Sequence, residues 1–399
     1  VKKAAELIDM SKHKGEHSRF GATDVCPFVP VSNTSMEECA EMARQVGQRI
    51  GEELGIPVYL YENAASKPER RNLAKVRAGE YEGLKKKLAD PEWKPDFGPA
   101  EFNAGAGATA VGAREFLIAY NINLNTTDRR YANELAYEIR ERGRWKRIGN
   151  VEPFYYKGDV VYFEEGKYPD GSSDFVAGSF EELADFYKKE YGADLYKRYR
   201  SIGLDPDNLV GRPVYKDGMF THVKGIGWVV DDYQCAQVSI NLTNYKITSP
   251  VDVLEAVRAL AVERGIVITG SEVVGVVPFE AMQSAGQFYL RRMQKSTGIP
   301  ARDTVTTAVQ AMGLTDVAEF DIDKKVIGMP VADGRLANLT ITGFVDEVSR
   351  DTPAPGGGSI AALAGALGSA LASMVVYLSV GIGVFDPQYD ELCQLAEKA

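Results

Sequence analysis

The order of apolar segments in this chain of 399 residues limits the folds that it can adopt. A short apolar strand, ATDVCPFVPVS, precedes a helical pattern that ends at a glycine and is followed by the strand-like IPVYLYE. Further along, CAQVSINLT, PVDVLEAVRALAVERG and IVITGSEVVGVVP give a strand, a helix, a glycine and a kinked strand. Alternating strands and helices form layers of helix on sheet. We therefore predict an α/β (α+β layered) protein with two related subdomains.

Local capping signals place the start of two helices. Ser35 and Glu38 have the spacing of a capping box, and Gly55 is a suitable end for the helix that they begin. Ser179 and Glu182 repeat the capping pattern further along the chain. After the first subdomain's second strand, KPERRNLAKVRAGEYEGLKKKL predicts a basic helical region.

Composition excludes several classes of protein. The formal net charge is −10 and the pI is near 5.1, whereas a general nucleic-acid binder needs a basic surface. The four cysteines are Cys26, Cys39, Cys235 and Cys393. They include no CxxC pair, so the sequence suggests neither a zinc site nor a disulfide framework. We expect no metal, no nucleic-acid partner and a cytoplasmic location, which suits reduced cysteines.

Residues 145–220 form an aromatic-rich segment between the two predicted subdomains. Tyrosine and phenylalanine recur through it, as in the stretches PFYYKGDVVYF and FEELADFYKKEYGADLYKRY. Aromatic side chains at this density can build a small core of their own, or they can line a substrate site. We favour an insertion that packs on itself, with substrate binding as the alternative.

Residues 359–384 contain no charged residue and are long enough to span a bilayer. Alanine, glycine and serine dominate the stretch, and basic flanks are missing. Small residues allow helices to approach closely in a bundle. We therefore favour a buried bundle helix and expect no membrane partner, with a membrane span as the alternative.

Two of the chain's three histidines, His13 and His17, lie in the polar window MSKHKGEHSRFG. A histidine before a strand can accept and return a proton near neutral pH. Two histidines four residues apart could also share a helix face and bind metal, but Gly15 between them disfavours a continuous helix. The alternative for both residues is a solvated loop with ordinary surface histidines.

Two further stretches could bind a ligand. The glycine-rich FGPAEFNAGAGATAVGAR allows close backbone approach to a flat molecule, or it is a flexible connection. The basic region carries lysine and arginine from Lys67 to Lys87 and could attract a polyanionic small molecule, although a solvated helix face also explains it.

Several long stretches together resemble glutamate formimidoyltransferase, and specifically its bifunctional fusion with a cyclodeaminase. The matching stretches are LIDMSKHKGEHSRFGATDVCPFVPV, GIPVYLYENAA, RRNLAKVRAGEYEGLKKKL, PDFGPAEFNAGAGATAVGAREFLIAYNINL, GIGWVVDDYQCAQVSINLT and GSEVVGVVP. They cover most of residues 1–144 and 222–328. TPAPGGGSIAALAGALGSALASMV resembles the opening of the cyclodeaminase domain.

The resemblance implies a reaction and its site. The family transfers a formimidoyl group from N-formimidoyl-L-glutamate to N5 of tetrahydrofolate, a step of histidine degradation and one-carbon metabolism. The histidine of the family's GEH motif, its catalytic acid and base, corresponds to His17. The family's folate-contacting loop corresponds to Gly98, Pro99, Ala100, Glu101, Phe102, Asn103, Ala104, Gly105, Ala106 and Gly107. Folate carries a tail of one or several glutamates, so a polyglutamylated cofactor is a candidate partner for the basic region.

The resemblance also implies a domain layout and an incomplete chain. We expect formimidoyltransferase subdomains at 1–116 and 117–328, a linker at 329–338 and the start of a helical cyclodeaminase domain at 339–399. Family members begin with a further strand–helix–strand segment, so we expect a fragment of a longer homo-oligomeric protein, with cyclodeaminase activity only at full length. The alternatives are a folate-binding fragment without catalysis and a membrane-tethered protein using residues 359–384.

Overall fold

The computed structural model describes residues 1–14, 19–31, 33–149, 152–330 and 334–399. It divides into two compact units, Val1–Phe116 (unit 1) and Leu117–Ala399 (unit 2). Both units combine helices with sheet, as the sequence predicts.

Unit 1 contains a three-stranded parallel sheet in which the last strand of the unit lies between the other two. Its elements are α1 (Lys2–Leu7), β1 (Val25–Phe28), α2 (Met36–Leu54), β2 (Val58–Glu62), α3 (Leu73–Val76), α4 (Glu80–Leu88) and β3 (Thr109–Ala113). The capping box at the start of α2 is confirmed: Ser35 accepts from the backbone of Glu38, whose side chain accepts from the backbone of Ser35. Gly55 ends the helix in the left-handed conformation, also as predicted.

The predicted basic helical region of unit 1 consists of a 3₁₀ turn at Pro68–Arg70, then α3 and α4. One sequence-based assignment in unit 1 is wrong in detail. The end of the predicted glycine-rich loop is the central strand β3, which is buried along its whole length. Its small side chains suit that position, since a Cβ on Gly112 would lie 2.5 Å from Tyr61.

Unit 2 begins with a strand and ends in helices. In chain order its elements are β4 (Ile118–Leu124), α5 (Arg129–Ile139), β5 (Arg144–Trp145), β6 (Arg147–Ile148), β7 (Asp159–Val160), β8 (Tyr168–Pro169), β9 (Val176–Ala177), α6 (Phe180–Tyr191), α7 (Leu195–Ser201), β10 (Tyr215–Lys216), β11 (Val223–Val230), β12 (Cys235–Leu242), α8 (Pro250–Glu263), β13 (Ile268–Val274), β14 (Val277–Pro278), α9 (Phe279–Arg292), α10 (Ala301–Met312), α11 (Ile322–Lys325), β15 (Val326–Ile327), α12 (Ile341–Val348), α13 (Gly357–Ser379) and α14 (Tyr389–Lys398).

The main sheet of unit 2 is antiparallel, with the strand order β11-β12-β4-β13. Helix α5 packs on β11 and β12. Gly227 of β11 allows this approach, because a Cβ there would lie 2.3 Å from the backbone of α5. The repeated order of elements in the sequence therefore produces two different sheets. Local periodicity predicts strands and helices but not which strands pair.

Most of the aromatic segment, residues 145–220, packs on itself as expected, whereas its first residues contact α5, where the ring of Phe154 lies 5.6 Å from that of Tyr131. Its buried residues form a hydrophobic cluster that includes Phe163, Leu183 and Tyr199 and uses residues from 163 to 214 only. The short antiparallel pair of β5 and β10 brings the two ends of the segment together.

Helix α13 differs from its prediction as a buried bundle helix. Val376 is the one buried residue in it, and its described contacts include those with α14. Its surface is apolar around most of its circumference, so no single face is selected for burial. Within the described part of the chain, α13 is the one helix long and apolar enough to cross a membrane, with a mean hydropathy of 1.9 over its best window. Length and composition are all that support that possibility.

Candidate functional site

The predicted catalytic residue His17 lies outside the described residues, as do its neighbours 15, 16 and 18. The chain on either side of them is held in place. The guanidinium of Arg19 donates to both carboxylate oxygens of Glu82, at 2.9 and 3.1 Å, and to the carbonyl of His13 at 3.0 Å. Arg19 therefore ties both flanks of the histidine motif to the start of α4.

The loop 98–107, predicted to bind folate, is hydrogen-bonded to the same flanks. The backbone N–H of Met10 donates to the carbonyl of Gly105 at 2.8 Å. On the other side, the N–H of Ala22 donates to the carbonyl of Ala106 at 2.9 Å. The structure thus brings the second half of the loop against the chain that precedes and follows the histidine motif.

Glycine is required where the loop meets this chain. Gly107 has a φ of +68°, and a Cβ there would lie 2.3 Å from the carbonyl oxygen of Phe20. A Cβ on Gly21 would lie 1.8 Å from the carbonyl oxygen of Ala108. Side chains at either position would push the loop away, so these glycines define how closely the two backbones approach.

The remainder of the loop exposes backbone donors beside an aromatic pair. Asn103 shapes the turn, since its side-chain oxygen accepts from the N–H of Ala106 at 2.9 Å. The rings of Tyr81 and Phe102 lie 5.4 Å apart, and the Tyr81 hydroxyl donates to the carbonyl of Ala104 at 2.7 Å. Within the described ranges, the N–H groups from 100 to 105 have no acceptor. This arrangement suits a ligand with a planar ring and hydrogen-bond acceptors.

The basic region contributes less free charge than its sequence suggests. Arg70 is buried, pairs with Asp96 at 2.6 Å and lies near the rings of Tyr59 and Trp93. Its role is structural. Desolvation, and secondarily the charge of Arg70, lowers the pKa of Lys87 to about 8. The exposed cations that remain available to a ligand are Lys67, Arg71, Lys75, Lys85 and Lys86.

A second polar cluster, which the sequence analysis did not predict, lies on one face of the unit 2 sheet. Pairing places Asn123 opposite Gln237, and Asn121 opposite both Ser239 and Glu272. The neighbouring residues of β4, such as 120, 122 and 124, are apolar and buried. One face of the sheet is therefore apolar and the other carries amides and a carboxylate.

The amides of this face form a continuous hydrogen-bond chain. The indole of Trp228 donates to Gln237 at 3.0 Å, and Gln237 donates to Asn123 at 2.7 Å. Asn123 donates to the carboxylate of Asp316 at 2.8 Å, which also accepts from Thr269 at 3.0 Å. Asn123 and Gln237 are fully buried, so each amide is fixed in one orientation by its neighbours.

The sequence indicates this polar face through the alternation of polar and apolar residues in β4 and β12. In IAYNINL and CAQVSINL the polar residues occupy every second position, as they do when one face of a strand carries them. What the sequence does not contain is the pairing of residues more than a hundred positions apart. Elsewhere in the described residues, no three histidine, cysteine or acidic side chains gather in a way that could hold a metal ion.

Family models match three parts of the chain. The model described as formiminotransferase domain, N-terminal subdomain, matches residues 1–114, and the model described as formiminotransferase domain matches 195–332. The model described as formiminotransferase-cyclodeaminase matches 340–399. Residues 115–194, which include much of the aromatic segment, lie between the first two matches.

Curated relatives match over long stretches. A formimidoyltransferase-cyclodeaminase of Dictyostelium discoideum is 37% identical over 97% of this chain and 60% of its own length. The protein of that name in Mus musculus is 38% identical, over 96% of this chain and 59% of its own length. A glutamate formimidoyltransferase of Thermoplasma acidophilum is 36% identical over 73% of this chain and 72% of its own length. The chain thus spans about 60% of the length of the bifunctional relatives.

Proposed function

Because this chain belongs to the formimidoyltransferase family, we propose that it transfers the formimidoyl group of N-formimidoyl-L-glutamate to N5 of tetrahydrofolate. The observation that carries this proposal is the match to glutamate formimidoyltransferases over both subdomains. The comparisons do not support the two other functions considered from the sequence, a folate binder without turnover and a membrane-tethered protein.

The chemistry needs one group that titrates near neutral pH. N5 of tetrahydrofolate attacks the amidine carbon, a bond forms between them, and N5 loses its proton. The bond from that carbon to the glutamate nitrogen then breaks as this nitrogen gains a proton. We propose that His17 accepts the first proton and delivers the second, as a general base and then a general acid.

We propose that tetrahydrofolate binds to the loop 98–107. The exposed N–H groups of the loop can donate to acceptors on the pterin ring, and the Tyr81 and Phe102 rings offer an apolar surface beside them. The exposed cations of the basic region, such as Lys85 and Lys86, would attract the carboxylates of a polyglutamate tail. The affinity for tetrahydrofolate should then fall as salt concentration rises, whatever the number of glutamates in its tail.

The wider setting of the protein also stays a set of predictions. We propose a cytoplasmic, homo-oligomeric enzyme. The match of 340–399 to the cyclodeaminase model supports cyclodeaminase activity in a protein that spans the full length of the bifunctional relatives.

The experiment compares the chain with His17→Ala and His13→Ala, using tetrahydrofolate and N-formimidoyl-L-glutamate. Product is measured after acid conversion to methenyl-tetrahydrofolate. We expect His17→Ala to lower kcat by roughly 10²–10⁴-fold, the usual contribution of a general acid or base. His13→Ala is the matched control and should retain activity. Equal losses in both variants, or none in His17→Ala, would remove His17 from the mechanism.

A further inference from the structure

A cavity of about 380 Å³ opens in unit 2 beside α5 and both ends of the aromatic segment. Its walls are formed by four arginines, one carboxylate and four aromatic rings: Arg140, Arg142, Arg144, Arg147, Glu134, Tyr137, Trp145, Tyr156 and Tyr215. Helix α5 covers the apolar face of the sheet, so this cavity lies on the side opposite the amide face described above. The proposed transfer reaction uses none of these residues.

One of the four arginines is already neutralised. Arg144 is 4% exposed and donates to Glu134 at 2.9 Å and to Glu138 at 2.8 Å. Glu134 also accepts the backbone N–H groups of Tyr155 and Tyr156, each at 3.1 Å. Glu138 also pairs with Lys216 at 3.4 Å, so the two carboxylates are bound by Arg144, Lys216 and the start of the aromatic segment.

The other three arginines have no carboxylate partner anywhere in the part of the chain that is described. Arg140 donates to the carbonyl of Gly143 at 2.7 Å, and Arg142 donates to the hydroxyl of Tyr215 at 3.0 Å. Arg147 donates to the carbonyl of Gly158 at 2.5 Å. Each guanidinium has five N–H donors, so each keeps donors that these neutral acceptors do not use.

The positive charges disfavour one another in the absence of a counter-ion. Burial lowers the pKa of Arg140, and the charges of Arg142 and Arg144 lower it further. Two of the guanidiniums lie beside aromatic rings, Arg140 at 4.0 Å from the centre of the Tyr137 ring and Arg142 at 5.6 Å from that of Tyr215. In a protein with a net charge of −10, this is a concentrated positive site.

We propose that this cavity binds a small phosphate-bearing molecule, with Arg140, Arg142 and Arg147 as the groups that hold its phosphate. The planar fork of arginine matches phosphate oxygens, and the three arginines line one cavity. The cavity volume lies in the range of small-molecule pockets, roughly 300–1,000 Å³, so it has room for an organic group beyond the phosphate.

The test is calorimetric titration of the full chain with inorganic pyrophosphate at low ionic strength. We expect saturable binding that weakens with added salt. Arg142→Ala and Arg147→Gln should each weaken binding by about tenfold, as expected from the loss of a charge-assisted hydrogen bond. Arg200→Ala, on the exposed end of α7, is the matched control and should bind as the unmodified chain does.

Two further arms make the outcome decisive. Trp145 lies in the cavity wall and is 44% exposed. Pyrophosphate should therefore change the tryptophan fluorescence of the unmodified chain, and it should leave the fluorescence of Trp145→Phe unchanged. Thermal unfolding shows whether each variant is folded, and Arg147→Gln carries the test if Arg142→Ala is not. No binding, equal binding of succinate, or equal losses in Arg200→Ala would overturn the proposal.

Discussion

In unit 1 the central strand β3 consists mostly of small residues and is buried along its whole length. In unit 2 the strands β4 and β12 carry amide side chains on one face. The candidate site of unit 1 lies in loops, where Gly21 and Gly107 let two backbones meet. The polar groups of unit 2 are side chains held in register by strand pairing. The difference predicts that substitutions will damage the two units by different routes: backbone displacement in unit 1, and unsatisfied buried donors in unit 2.

The largest effect should come from adding a side chain where the unit 1 backbones meet. Gly107→Ala places a Cβ 2.3 Å from a carbonyl oxygen and forces alanine to a φ of +68°. We expect a loss of at least about 3 kcal/mol in the free energy of unfolding, measured by urea denaturation, together with weaker folate binding.

Gly105→Ala is the matched control for this prediction. It lies in the same loop, but the nearest atom to its Cβ would be 3.8 Å away. Its free energy of unfolding should change by less than about 1 kcal/mol. If both variants lose the same stability, the close approach at Gly107 is not what fixes the loop.

A smaller effect should follow from breaking the amide chain of unit 2. Asn123→Leu removes the acceptor of the Gln237 amide and a donor to Asp316, leaving a buried donor without a partner. We expect a loss of about 2 kcal/mol in the free energy of unfolding. Asn241→Leu, exposed on the same face of β12, should change it by less than about 0.5 kcal/mol. Equal losses of stability in both variants would show that the broken hydrogen bonds of the buried amides are not the cause.

The smallest effect should be a pH dependence that arises in unit 1. Because the pKa of Lys87 is lowered from 10.5 to about 8, the unfolded chain binds more protons than the folded chain between these values. The contribution of Lys87 to the free energy of unfolding should therefore rise with pH across that window. Lys87→Met should flatten this rise and increase stability below pH 8, whereas Lys86→Met, which is exposed, should do neither.

Sequence reasoning predicted the local parts of this structure better than the distant ones. The capping box at Ser35 and Glu38 depends on residues three positions apart, and it was found. Strand β3 was missed because alanine and glycine, which suit its crowded position, are typical of loops. The Asn123–Gln237 pair was missed because the two residues are 114 positions apart.

The candidate site divides in the same way. The assignment of His17 and of the loop 98–107 came from family resemblance and stays a prediction. No local sequence pattern predicts the hydrogen bonds from Met10 and Ala22 to the loop, because they join segments that are distant in the sequence. The burial of Arg70 shows a different kind of error. A basic stretch of sequence predicts surface charge, but the sequence alone does not show that Asp96 pairs with Arg70 in the interior.

The pairing of β5 with β10 lets the aromatic segment lie within unit 2 without interrupting its main sheet. Trp145 lies opposite Tyr215, and Arg144 lies opposite Lys216, so the aromatic segment begins and ends at one pair of strands. Since both ends meet at this strand pair, residues 163–214 pack their own hydrophobic cluster without changing the order of the strands in the main sheet.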